Sequence, residues 1–245
     1  LVVKIGTRVI AQKSGRPDMQ PLKSLVKQVA ELHRKGYEIL IVSSGAVGAG
    51  VEALGMKARP TTVPDLQMCA AVGQARLMAH YEDLFGAENI TIGQVLLTHA
   101  DFQHRIRFAN AKRTMEHMIR HNVIPIINEN DVVADEEIKA DLSLGDNDYL
   151  AALVVKLVRA DILVILSTVD GVLDAQGKRV PCIENLNEAF ALVNPTDAGG
   201  LSKGGMDSKL RAAQIAVKAG CGVVIACGRD KKVLTDVVAG HDTGT

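Results

Sequence analysis

The polar and apolar positions of this chain alternate between short apolar runs and longer stretches of helical spacing. Leu1 to Ile5 reads as a buried strand. Leu22, Leu25, Val26, Val29 and Leu32 then recur at intervals of three and four, a helix stopped by Gly36. A strand is predicted from Tyr37 to Val42 and a long helix over about 65–85. Ile90 to Leu97 is the next strand, and Asp101 is the expected cap of a helix reaching about Asn122. Val123 to Ile127 is a strand whose Pro125 marks an irregularity or a sheet edge. A polar loop is expected from Asn128 to Gly145, then a helix to about Arg159 capped by Asp146 or Asn147. Ile162 to Leu166 is the most apolar strand, and 171–180 reads as a hairpin turning at Gln176-Gly177. A helix over about 206–219, a strand from Gly222 to Cys227 and a closing helix complete the pattern.

Strands that alternate with helices imply βαβ units and a parallel sheet covered on both faces. The expected fold class is therefore α/β, with a mostly parallel central sheet. In such a sheet ligands bind beyond the carboxyl ends of the strands. Four polar clusters follow strands here: Gly6-Thr7, Ser43-Ser44-Gly45, Asn128 to Asp131, and Ser167-Thr168. The sheet rule places all four on one rim.

Composition narrows the function. The chain has 245 residues, 47% of them hydrophobic, enough for a sizeable core. Basic and acidic residues balance at 28 each and aromatics make up 3%, which argues against a nucleic-acid partner. Cys69, Cys182, Cys221 and Cys227 form no C-x-x-C pair and are expected to be buried small hydrophobes. No apolar run is long enough to span a bilayer and no signal peptide is evident, so a cytoplasmic location is the default. Without an initiator Met, the sequence is expected to begin inside the natural chain.

Neither a G-x-x-x-x-G-K-[ST] nor a G-x-G-x-x-G fingerprint occurs. Phosphate binding would fall instead to the glycine-lined turns at 45–50 and 204–205. Lys4 closes the first strand and Lys209 follows the Gly204-Gly205 turn, a pair suited to clamping a phosphoryl group. Two like charges there call for a carboxylate between them, and Asp148 is the candidate.

Val3-Lys4-Ile5-Gly6-Thr7 resembles the opening K-x-G-[TS] of the amino acid kinase superfamily, and Ser43-Ser44-Gly45-Ala46 its [TS]-S-G-A turn. Ala70 to Gln74, Ile127 to Asp131, Gly145 to Asp148 and Gly204-Gly205-Met206 with Lys209 resemble the glutamate 5-kinase branch. The resemblance covers essentially the whole chain, with every motif in order. It implies a three-layer αβα sandwich formed by a single domain over 1–245, without the C-terminal RNA-modification-like domain that bacterial enzymes often carry. It implies ATP with Mg²⁺ carried on its phosphates, L-glutamate as acceptor, proline as a feedback inhibitor sensed by the 128–145 loop, and a homo-oligomer.

The same resemblance assigns roles. Lys4 and Lys209 would stabilise the transferring phosphoryl group and Asp148 would hold them. Ser44, Asp131, Asn147 and Asp146 would bind the acceptor. Lys4, Gly6, Ser167, Thr168 and the run Lys203, Gly204, Gly205, Met206, Asp207, Ser208, Lys209 would line the nucleotide site. Three departures stand out: Ser167-Thr168 where the family has Thr-Asp, Lys203 for a Thr, and Ser208 for a Thr. The alternatives are a sister kinase acting on N-acetylglutamate, aspartate, carbamate or a nucleotide monophosphate, the kinase half of a fused pyrroline-5-carboxylate synthase, and a non-catalytic sensor.

Overall fold

The computed structural model describes residues 1–11, 18–134, 146–192 and 205–245. Its centre is a six-stranded sheet, entirely parallel, made of β1 (Val2–Ile5), β2 (Leu40–Val42), β3 (Thr91–Leu97), β4 (Val123–Glu129), β5 (Ile162–Ser167) and β6 (Gly222–Cys227). The strand order is β3-β4-β2-β1-β5-β6. Val3 stands between Ile41 and Val164, so β1 is hydrogen-bonded on both sides at the middle of the sheet.

Alternate residues along each strand enter different cores. Val2, Leu40, Leu163 and Ile165 pack under α5 (Arg105–Arg120), α6 (Asp146–Val158), α7 (Leu186–Leu192) and α8 (Met206–Lys218). Val3, Ile5, Ile41, Val164 and Leu166 pack under α1 (Met19–Arg34), α3 (Val63–Gly86) and α9 (Val233–Val238). This is the three-layer sandwich, and it explains why β5 reads as an apolar run from Ile162 to Leu166 and β1 as one interrupted by Lys4: both faces are covered. All five apolar positions that marked α1 are buried, and Asp18 caps it by accepting from the Gln20 N–H.

Several local expectations are corrected. β2 begins at Leu40, not Tyr37, because Tyr37 and Glu38 lie outside the two sheet partners. The helix expected from Asp101 is two helices, α4 (His99–Gln103) and α5, parted at His104, whose extended backbone starts the second. Asp101 is the N3 partner of a capping box with Thr98, not the cap itself. Pro125 is not on an edge. It lies inside β4 opposite Gly93, at a position where the ladder to β2, which begins at Ile126, does not need its N–H. Asn128 and Glu129 belong to β4, paired with Leu96 and Leu97, so the polar loop starts at Asn130. Asp146 and Asn147 are the first residues of α6 rather than its cap. The 171–180 hairpin is reduced to one antiparallel bridge, Leu173 to Arg179, around a turn held by Asp174. Cys182 is exposed and Cys227 half-buried, so only Cys69 and Cys221 are the buried hydrophobes expected. A short helix after the Ser43 turn, α2 (Ala46–Ala53), had no periodicity to announce it.

Candidate active site

Because the sheet is parallel throughout, the ends of β1, β2, β4 and β5 open onto one rim. The four polar clusters stand there together. Lys4 shares its strand face with Val2 and so points under α6, where its ammonium meets Asp148 Oδ1 at 2.6 Å. Lys209, in the first turns of α8, reaches Asp148 Oδ2 at 3.1 Å. Ser208 Oγ donates to the same oxygen at 3.2 Å. The three charged side chains are almost wholly withdrawn from solvent: 6% exposure for Lys4, 1% for Asp148 and 7% for Lys209.

Two ammoniums and the carboxylate between them thus share a poorly solvated setting. Burial by itself would raise the Asp148 carboxyl pKa, but the ammoniums of Lys4 and Lys209 together outweigh it and hold it below the ordinary range. Burial pushes the Lys209 ammonium down, with Asp148 opposing and Lys4 and Arg8 adding to the effect. Asp148 also sits in the first turn of α6, where the helix dipole favours a carboxylate. An incoming phosphoryl oxygen at this rim would meet both ammoniums.

The backbone around the lysines is tight. Gly6 N–H donates to the Leu166 carbonyl at 3.3 Å, and a Cβ on Gly6 would meet that oxygen and the Lys4 ammonium. Gly205 opens α8 with no side-chain cap hydrogen bond. The Ser167 carbonyl accepts from Gly228 N–H at 2.8 Å, which joins the ends of β5 and β6.

On the other side, Gly45 turns the chain with φ 99°, a conformation that suits glycine, and starts α2. Ser44 Oγ donates to the Ile5 carbonyl at 2.6 Å, which seats it beside the end of β1. Ser43 Oγ shares a hydrogen bond with the Tyr81 hydroxyl at 2.9 Å. Asn128, 2% exposed, donates through Nδ2 to Gln74 Oε1 at 2.9 Å. Asp131 is half-buried in the turn after β4. The Asn147 Oδ1 is buried with no hydrogen-bond partner among the described residues.

Lys4, Asp148, Lys209 and Ser208 are thus in direct contact. Ser44, Gly6, Ser167, Thr168, Gly205 and Met206 lie at strand or helix ends on that rim, while Asp207 pairs with Arg211 at 2.7 Å. Lys203, Gly204 and Gly145, the side chain of Asp146, and most of the 128–145 loop lie outside the described residues. Two residues here carry no individual sequence signal: Tyr81, a fully buried position on α3, and Asn128, one member of the Asn128 to Asp131 polar run. Among the described residues no group of three His, Cys, Asp or Glu is placed to cage a metal. None of their helices is long and apolar enough to cross a membrane.

The amino acid kinase family model matches residues 1–227. The chain belongs to the amino acid kinase family. A relative from Clostridium acetobutylicum described as glutamate 5-kinase is 39% identical over 251 aligned residues, covering all of this chain and 92% of that protein. One from Sodalis glossinidius with the same description is 43% identical, and this chain spans 67% of it. Solved structures of the same fold include carbamate kinase from Giardia lamblia bound to AMP-PNP (TM-score 0.63, 18% identity, covering 100% of this chain and 96% of that one). UMP kinase from Ureaplasma parvum is another (TM-score 0.64, 14% identity, 98% and 95% covered). At those identities the likeness concerns the fold alone.

Proposed function

We propose that the chain transfers the γ-phosphoryl group of ATP to the γ-carboxylate of L-glutamate, giving γ-glutamyl phosphate and ADP, the first step of proline synthesis. The observation that carries this reading is the Lys4–Asp148–Lys209 cluster at the carboxyl end of a parallel sheet. The full-length likeness to glutamate 5-kinases supports the choice of acceptor.

The chemistry suits the residues. A γ-carboxylate has an ordinary pKa of about 4.3 and is already ionised at neutral pH, so no general base is needed. The difficulty is repulsion between that anion and the phosphates. Lys4 and Lys209 would offset it by holding opposite sides of the transferring group, while Asp148 keeps their spacing. One acceptor oxygen bonds to the γ-phosphorus as the bond from phosphorus to the β,γ-bridging oxygen breaks, and ADP leaves with that electron pair. The N–H groups at the start of α8 would bind phosphate oxygens. Mg²⁺ would be held by those phosphate oxygens and would supply further charge neutralisation. Ser44, Asp131, Asn147 and Asp146 are proposed for the amino acid, and Gly6, Ser167, Thr168, Lys203 and the run from Gly204 to Lys209 for the nucleotide. By the family likeness, a single kinase domain, a homo-oligomeric state and feedback by proline belong to the same proposal.

The test is ADP release measured side by side with glutamate, N-acetylglutamate and aspartate, with hydroxylamine present to trap an acyl phosphate. Glutamate is expected to give ADP and hydroxamate together. Hydroxamate from N-acetylglutamate or aspartate in preference to glutamate would overturn the acceptor.

A further inference from the structure

We propose that helix α3 sets the geometry of the acceptor site, with Tyr81 and Gln74 as positioning residues for the two turns that would hold the amino acid. The proposal rests on the acceptor reading above. Gly73, Leu77 and Tyr81 recur every fourth residue on the buried face of α3, and Gln74 lies beside them.

Three contacts leave this face, and each ends on an acceptor-side element. Gly73 lets α2 lie directly on α3: a Cβ there would overlap the Ala46 carbonyl and the Gly50 nitrogen. A Cβ on Gly50 would overlap the Cys69 carbonyl in return. Ala46 is the first residue of α2, so the Ser43-Ser44-Gly45 turn that enters α2 is carried on this contact.

Tyr81 makes the second contact. It is fully buried, and its hydroxyl meets Ser43 Oγ at 2.9 Å. Phe85, one turn further on, fills the same core without a hydroxyl, so packing alone does not call for one. The Ser43 N–H donates to the Ile127 carbonyl at 2.8 Å, so the turn is held from β4 as well as from α3. With Ser43 fixed, Ser44 is directed at the Ile5 carbonyl beside Lys4.

Gln74 makes the third. Its Oε1 accepts from Asn128 Nδ2 at 2.9 Å and its Nε2 donates to Gln94 Oε1 at 3.0 Å. Asn128 Oδ1 accepts from the Glu129 N–H at 3.0 Å. The relay from β3 through α3 to β4 fixes the amide of Asn128 and the end of the strand that leads to Asp131. One helix therefore holds both acceptor turns.

The experiment compares Tyr81→Phe, Gln74→Ala and the double variant Ser43→Ala/Tyr81→Phe with the wild type. The acceptor panel is run first, and the KM read is that of whichever acid the wild type phosphorylates, so a different acceptor corrects the function and leaves this test intact. Each single variant is expected to raise the acceptor KM about tenfold, with kcat and the ATP KM within about twofold. The double variant removes both hydroxyls of that pair, so neither is left facing an apolar partner, and its Tm recovers toward the wild type. Its acceptor KM stays raised. The proposal is overturned if the acceptor KM is unchanged in both single variants, if it moves together with the ATP KM, or if it returns with Tm in the double variant.

Discussion

Replacing Asp148 by Asn keeps the shape of the side chain and removes the charge between the lysines. Lys4 and Lys209 then face an amide, and one of them meets an NH₂ group that can only donate. Both ammoniums are more than nine-tenths buried, so water replaces little of what is lost. Removing one member of such a buried cluster costs about 3–5 kcal/mol. For a chain of this size 1 kcal/mol corresponds to roughly 2–4 °C, so Tm at neutral pH is expected to fall by about 6–20 °C. The folded-state pKa of Asp148 is held below its ordinary value of 3.8, so its contribution is complete above that value and disappears as pH falls through the folded pKa. The Asn variant should therefore lose that part of the acid sensitivity and converge on the wild type at low pH. Thermal unfolding from pH 7 down to about pH 3, read by far-UV circular dichroism, measures both. A variant as stable as the wild type at pH 7, or equally destabilised at every pH, would refute the claim that the carboxylate holds the lysines.

Three further outcomes follow from the same geometry. Gly73→Ala drives a methyl group into the Ala46 carbonyl and should cost about 1–3 kcal/mol, visible as a lower Tm. Asp131→Ala should raise the glutamate KM about tenfold or more with the ATP KM unchanged; a fall in ATP affinity instead would reverse the site assignment. Burial lowers the Lys209 pKa, so as pH rises its ammonium is lost before the ordinary lysine value of 10.5 is reached. The rate profile should fall on the alkaline side below that pH, and Lys209→Arg should move that limb upward or remove it.

The sheet was legible because parallel strands buried on both faces must be apolar throughout, as Leu163 to Leu166 are. The cluster was legible because Lys4 near the end of the first strand and Lys209 in the first turn of a late helix stand where such a sheet brings its ligand groups to one rim, and two like charges require a carboxylate. What stayed hidden depends on contacts between distant elements. Tyr81 occupies a core position that any large apolar residue would satisfy, and only its 2.9 Å contact with Ser43 gives the hydroxyl a purpose. Gly50 read as the end of a glycine-lined phosphate turn and Gly73 as one position of the Ala70 to Gln74 motif, whereas together they form the backbone contact between α2 and α3. Pro125 suggested an edge because periodicity does not say where a neighbouring ladder begins. His104 parted α4 from α5 by its backbone conformation, which the helical spacing on either side did not signal.

The central claim is that Lys209, held by Asp148, stabilises the phosphoryl group in transfer rather than binding the acceptor. Turnover and glutamate affinity measured on Lys209→Ala separate the two. Turnover is expected to fall on the order of a hundredfold or more while glutamate binds, by isothermal titration, within about threefold of the wild type. Unchanged turnover, or a loss confined to glutamate affinity, would contradict the account.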